Sequence, residues 1–365
     1  MRLPSRRVAA FGLAATLVLA ACGGDDTADE PSEETTATTA APATDGELAA
    51  LEGSIFISGS STVEPISIAA GDAFADLAPN VAVTVEGPGT GDGFAKFCNG
   101  ETDISDASRP IKDSEAETCA ANGIEFIELL VAVDGLSPIT SVENTAVECL
   151  SFVDLYALLG PDSTGKNNWS DATAEADRIA ALDLGLGEVH TPYPDAPLTV
   201  TAPGEESGTF DSFVELVIEE VGDALEVEDA NVRPDYTASP NDNVIIEGIS
   251  SNPTSLGWVG FAFVEENLDV VKPLAIDGGD GCVAPTPETI ASGEFPIARG
   301  LYIYVSVPAL DANSALAPFV DFYVNTAITS LVGSGAGQVP YVPLNDAQVA
   351  ATAAAWTDRV TGKQA

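Results

Sequence analysis

The stretch SIFISGSSTVEPISIAAGDAFADLAPNVAVTVEG, residues 54–87, sets the expectation for the fold. Ser54–Ser58 is a short apolar run of the kind that makes a buried strand. From Pro65 onward, Ile66, Ala69, Ala70, Ala73, Phe74 and Leu77 recur at helical spacing, and Pro65 suits a first helical turn. Val81, Val83 and Val85 alternate with the period of two that marks a strand. The same alternation of element types runs down the chain. A short helix is expected near Phe94–Cys98 and strands over 124–133 and 198–201. Phe213, Val214, Val217, Ile218 and Val221 form a further helical stripe, and 301–307 reads as a late strand. Strands alternating with helices predict an α/β fold with mainly parallel pairing, and no repeat of fixed period is visible.

Upstream lies a processing signal. Arg2, Arg6 and Arg7 precede an apolar stretch, Val8 to Ala21, too short to span a bilayer comfortably. It ends in Leu19-Ala20-Ala21-Cys22, which resembles a bacterial lipobox, so residues 1–21 are expected to be removed and Cys22 to carry lipid. Residues 22–52, rich in Thr, Ala, Asp, Glu and Pro and without an aromatic, lack the apolar surface to fold and are expected to be a disordered tether. The remainder exceeds ordinary single-domain size, which predicts two lobes.

The chain has 13 Lys plus Arg against 57 Asp plus Glu; without the three leader arginines, ten basic residues face 57 acidic ones, a charge near −47. Such a balance argues against nucleic acid or anionic lipid as partners. Of five cysteines, Cys22 serves the anchor, leaving Cys98, Cys119, Cys149 and Cys282. An even set outside the cytoplasm reads as two disulfides. Three pairings are possible, and Cys98–Cys119 with Cys149–Cys282 is the expected one, because the first closes a short local loop. With no C-x-x-C and a single histidine, His190, no metal site and no cofactor is expected.

Three segments share one design: a strand, a turn of small and hydroxyl residues, then a helix. They are ISGSSTVEPI at 57–66, VEGPGTGDGF at 85–94 and APGEESGTFDSF at 202–213. A helix start offers unpaired N–H groups and the positive end of a dipole, and neighbouring hydroxyls add donors, so each turn can hold a small anion without net positive charge. Any one alone would be an ordinary helix cap. A fourth segment, ETDISDASRPI at 101–111, brings Ser108 and Arg109, and a guanidinium can grip an oxyanion through two N–H groups.

The ordered set GSSTVEP, GPGTGDGF, ETDISDASRPI and SGTFDSF resembles the substrate-binding protein of the bacterial phosphate ABC importer. NNWS at 167–170, SPNDNVIIEGI at 239–249 and LGWVGFAFVEEN at 256–267 extend the resemblance over most of the chain beyond 53. It implies a type II periplasmic-binding-protein fold: two α/β lobes, a hinge, and a ligand cleft between them. Lobe I would comprise 53–134 with 268–365, and lobe II 135–267. It also implies a monomeric receptor on the outer face of the cell membrane that binds inorganic phosphate and passes it to the importer's permease subunits. Carried over by position, Ser61, Thr62 and the Val63 backbone form the first phosphate loop, Thr90 and Gly91 the second, and Ser207, Gly208 and Thr209 the third. Two positions depart from the best-known members. Ser108 stands where an Asp accepts the phosphate proton, and Pro203 where an Arg precedes the SGT turn. Arg109 is the expected substitute cation and Asp242 the expected substitute acceptor.

Competing readings are weaker. GPDSTGKN at 160–167 approaches a nucleotide-binding P-loop, but Asn167 replaces the hydroxyl that would hold Mg²⁺. A serine hydrolase would need a base, and His190 lies in the Pro-rich HTPYPDAP without a G-x-S-x-G anywhere. A two-metal phosphohydrolase would need histidines the chain lacks. Another oxyanion, sulfate or molybdate, is the closer alternative ligand.

Overall fold

The computed structural model describes residues 44–205 and 207–364. The leader, Cys22 and most of the tether lie outside the described residues. The last part of the expected tether is structured. At the start of helix α1 (Asp45–Ala49), Thr44 N–H and its hydroxyl both donate to Glu47 Oε2 at 2.8 Å, and Leu48 and Leu51 pack on the core. Strand β1 (Glu52–Gly59) starts at once. A local capping box and two leucines are enough to extend order upstream of residue 53.

The first α/β half follows the sequence pattern closely. After β1 come α2 (Glu64–Ala75), β2 (Asn80–Glu86), α3 (Thr90–Cys98), β3 (Ile104–Ala107) and α4 (Asp113–Ala121). β1 pairs in parallel with β2 and β3. Ile55 and Ile57 of β1 and Ile66, Ala70 and Phe74 of α2 are buried together, so the two apolar stripes meet face to face.

β4 (Phe126–Ser141) is longer than the expected strand because it belongs to both halves of the molecule. Residues 126–135 pair antiparallel with β12 (Ala298–Ser306), whereas 136–139 pair with β8 (Ser255–Gly260) and 139–141 with β9 (Val271–Pro273). The junction is Gly135, where a methyl group would collide with Ile290 Cδ1 at 2.6 Å. The second half continues through β5 (Cys149–Ser151), α5 (Phe152–Leu159), α6 (Thr173–Ala180), β6 (Thr199–Ala202) and α7 (Gly208–Phe213). α7 runs on through a π-helical Val214–Ile218 into Glu219–Ala224, so the expected stripe is one helix with a wide turn. β7 (Thr237–Ala238) and β8 flank β6 in parallel.

β9 pairs with the far end of β4, and β10 (Ala275–Asp277) pairs with β5 and with β11 (Cys282–Val283). Backbone pairing therefore keeps 271–283 with the second half, and the chain returns to the first only as it enters β12, whose Ala298 faces Gly135.

Both expected disulfides are present, Cys98–Cys119 joining α3 to α4 and Cys149–Cys282 joining β5 to β11. No helix among the described residues is long and apolar enough to cross a membrane.

Trp258 of β8 is fully buried and stacks on Phe213 with ring centroids 4.2 Å apart, fixing α7 to the second sheet. Trp258→Ala should cost about 3–5 kcal/mol of unfolding free energy, the range for removing a large buried aromatic. Urea unfolding followed by circular dichroism checks this; a loss below about 1 kcal/mol would mean the stack is not a packing element.

Candidate functional site

The first loop links β1 to α2 and is built from its own backbone. Ser60 N–H donates to Asp106 O at 2.9 Å, Val63 N–H and Glu64 N–H both donate to Ser60 O, and Thr62 N–H donates to Ser60 Oγ at 3.2 Å. These bonds wrap Ser61, Thr62 and Val63 over the start of α2, with Thr62 and Val63 buried. The Ser61 N–H has no acceptor among the described residues. The second loop docks on the first through Gly89 N–H, which donates to Gly59 O at 2.9 Å. Gly89 has a φ of 113°, a conformation that suits glycine, and Thr90 and Gly91 open α3 behind it. Thr90 Oγ1 lies 3.1 Å from Ser108 Oγ and accepts from Ser108 N–H at 3.2 Å, so the second loop and the end of β3 form one hydroxyl pair.

The third loop comes from the other half. Ser207 caps α7 by accepting from Thr209 N–H at 3.2 Å. A methyl group on Gly208 would sit 3.4 Å from Thr62 Oγ1, so the SGT turn lies directly against the first loop. Ser61, Thr62, Val63, Ser207, Gly208 and Thr209 are therefore neighbours, as are Thr90 and Ser108.

Arg109 is placed differently. Its guanidinium makes a two-pronged contact of 2.8 and 2.9 Å with Glu115 of α4 and lies over the Phe94 ring. The bidentate geometry expected for an oxyanion is spent on a carboxylate six residues along the chain. Asp242 opens the helix Asp242–Ser250, close to the third loop because Ser239 N–H donates to Ala202 O at 3.0 Å. Burial raises its pKa, but its carboxylate pairs with none of these loops among the described residues.

Sequence reasoning missed Arg299. It stands near the start of β12, directly opposite Asp134 of β4, with 7% of its side chain exposed. Its Nη2 donates to Thr62 Oγ1 at 3.3 Å and to Ser212 Oγ, its Nη1 pairs with Glu215, and its Nε lies 3.6 Å from Asp134 Oδ2. That Nε–H is buried without a hydrogen-bond acceptor among the described residues. Ser212 Oγ also lies 3.1 Å from Asp134 Oδ2 and 2.8 Å from Gly208 O, and its single O–H donates to one or the other. One guanidinium thus touches the first loop and the helix of the third. The available signal was its rarity, a basic residue inside the apolar ARGLYIYV.

Asp106 was also overlooked. It lies in β3 beneath the first loop, is fully buried, and accepts from Ser67 Oγ of α2 at 2.9 Å through Oδ1. Oδ2 is buried without a partner among the described residues. Burial pushes its pKa up to about 8, opposed by the Ser67 bond and helped by the charge of Glu64.

A profile described as "PBP superfamily domain" matches residues 30–326. Protein SphX of Synechococcus elongatus is 36% identical, with 82% of this chain and 80% of that protein aligned. The phosphate-binding protein PstS of Staphylococcus epidermidis is 30% identical, with 85% and 81% aligned. A possible phosphate binding protein from Planctomyces limnophilus superposes with a TM-score of 0.71 at 32% identity, covering 85% of this chain and 99% of that one. The two α/β halves joined through β4 and β12 and the matched profile agree: the chain belongs to the PBP superfamily, as a two-lobed relative of PstS and SphX with the type II fold.

Proposed function

We propose that this protein is a non-catalytic receptor that binds inorganic phosphate between its two lobes and delivers it to the permease of an ABC importer, held at the outer face of the membrane by lipid on Cys22. The observation that carries the reading is the Arg299 guanidinium, buried between Thr62 of one lobe and Ser212 of the other. A buried guanidinium ringed by hydroxyls and a helix start suits an oxyanion. The names of the PstS relative and of the Planctomyces limnophilus protein support phosphate as that oxyanion.

The ligand contacts are Ser61, Thr62, Val63, Thr90, Gly91, Ser108, Ser207, Gly208 and Thr209, with Arg299 as the cation in place of Arg109. Asp106 replaces Asp242 as the carboxyl that meets the ligand's proton. A carboxyl group can share a proton with a bound oxyanion, and Asp106 supplies one. His190, the single histidine, faces Asp154 and Cys282 rather than any loop hydroxyl, which leaves the serines without a base.

Calorimetric titration with phosphate tests the cation. Arg299→Ala should weaken binding by roughly 30-fold to several thousand-fold, the equivalent of about 2–5 kcal/mol for a truncated buried charge contact. Arg299→Lys should recover only part, because an ammonium lacks the planar fork. Arg109→Ala should change affinity less than about threefold, the range of a partly exposed pair. Near-native affinity in folded Arg299→Ala and Arg299→Lys would overturn the assignment.

Asp106 makes stability depend on pH in a defined direction. Its folded pKa of about 8 lies above the ordinary 3.8, so the ligand-free native state keeps a proton that the unfolded chain loses. Stability from this group is full below the ordinary value and falls as pH rises toward about 8. Asp106→Asn removes that loss, so its stability relative to wild type should grow across this window by up to about 1.4 kcal/mol per pH unit. Urea unfolding at a series of pH values without phosphate measures the difference; a flat difference would show that Asp106 titrates normally.

A further inference from the structure

The second disulfide sits in an environment unlike the first. Cys98 and Cys119 are 2% and 0% exposed and lie in an apolar cluster with Phe94, Phe97 and Phe126. Cys282 is exposed, Cys149 half-buried, and His190 Nε2 lies 3.6 Å from Cys282 Sγ. The two sulfurs and the imidazole nitrogen all lie within 4.8 Å of one another.

The imidazole is held in that position. Asp154 is fully buried at the start of α5, and its carboxylate accepts from His190 Nδ1–H at 2.7 Å, from His190 N–H, from Tyr193 Oη–H and from Ser151 N–H. A carboxylate on Nδ1 fixes the tautomer and leaves the Nε2 lone pair facing sulfur. Asp277 fixes the other side: Glu188 N–H donates to its Oδ2, and Gly279 and Gly281 N–H donate to its Oδ1. The segment carrying His190 is thereby locked to the loop carrying Cys282. Packing alone does not require a buried carboxylate to aim the chain's single imidazole at an exposed sulfur.

We propose that Cys149–Cys282 is a thiol-exchange site, at which a small neutral or cationic thiol forms a mixed disulfide on Cys282 with His190 as the acid–base group. The thiol approaches exposed Cys282 Sγ, and Nε2 takes its proton. The thiol sulfur bonds to Cys282 Sγ as the Cys149–Cys282 bond breaks. The electron pair passes to Cys149 Sγ, which takes the proton back from Nε2–H. One thiol and one disulfide give one mixed disulfide and one thiol, and no other oxidant or reductant is needed. Glu148 is paired with Lys272, but Glu188, Asp277 and Asp280 neighbour these three residues in sequence or by contact, so the site disfavours anionic thiols.

The test uses the full oxidised protein with cysteamine, mercaptoethanol or mercaptoacetate, acid quenching and peptide mass mapping. The expected adduct is on Cys282 with a free thiol on Cys149, while Cys98–Cys119 stays closed. Relative to each thiol's rate with a small-molecule disulfide, cysteamine should be fastest and mercaptoacetate slowest. His190→Ala and His190→Gln should each slow adduct formation by about tenfold or more, the low end of general acid–base effects, with phosphate affinity unchanged. The proposal is overturned by an adduct on Cys149 instead, by equal rates in wild type and both His190 variants, or by mercaptoacetate outpacing cysteamine on the unaltered protein.

Discussion

A guanidinium with 7% of its side chain exposed cannot be held without nearby countercharge, and Arg299 has two, Asp134 and Glu215. Removing such an ion from water costs several kcal/mol, so its position must be offset by partners from every side. Those partners decide the architecture around it. Asp134 faces it across the β4–β12 ladder at the last paired positions before β4 changes partner at Gly135. Ser212 and Glu215 reach it from the helix of the third loop, and Thr62 from the first. The strand junction, the lobe contact and the anion loops therefore share one charge. Any opening of the two lobes must either carry Arg299 with one side or leave carboxylates behind it unpaired.

Asp134 and Asp106 show how much partners matter at equal burial. Both are fully or almost fully buried, and burial is the largest influence on each, raising the pKa. Asp134 has Arg299 and Ser212 pulling it back toward ionisation. Asp106 has one hydroxyl, Ser67, itself 3.1 Å from Tyr323 Oη, and a second oxygen with no partner among the described residues. An unpaired buried carboxyl is costly to keep.

The α/β class was legible because the strands and helices near the first loop carry clean periods. Val81, Val83 and Val85 became β2, and the Ile66–Phe74 stripe became α2. The cysteine pairing followed from compartment and loop length. What stayed hidden depended on contacts distant in sequence. β4 continues past the expected 124–133 through Gly135, Ser137 and Pro138, because different strands satisfy it on either side of the junction. β9 and β10 are short strands whose partners lie far upstream, so their pairing was not legible locally. Arg109 looked like the site cation because it sits beside Ser108 in a recognisable segment. The carboxylate that occupies it, Glu115, was equally visible, but pairing with it depends on how α4 packs. Arg299 offered only a charge in an apolar strand, and Asp106 one carboxylate among 57 acidic residues.

That acidity bears on how an anion can be held at all. With a net charge of −44, the protein repels a dianion at distance. At physiological ionic strength such fields decay over about 8 Å, so most of the surface charge is screened at the site while contacts at hydrogen-bond length are not. Backbone N–H groups and hydroxyls carry no net charge and bring no countercharge with them. A single guanidinium does bring countercharge, and here Asp134 and Glu215 neutralise it before any ligand arrives. The driving force for an oxyanion is then the arrangement of donors rather than net positive potential. Such a site survives on a surface whose acidity would defeat a cluster of lysines, because those would be paired with the abundant carboxylates, as Arg109 is with Glu115.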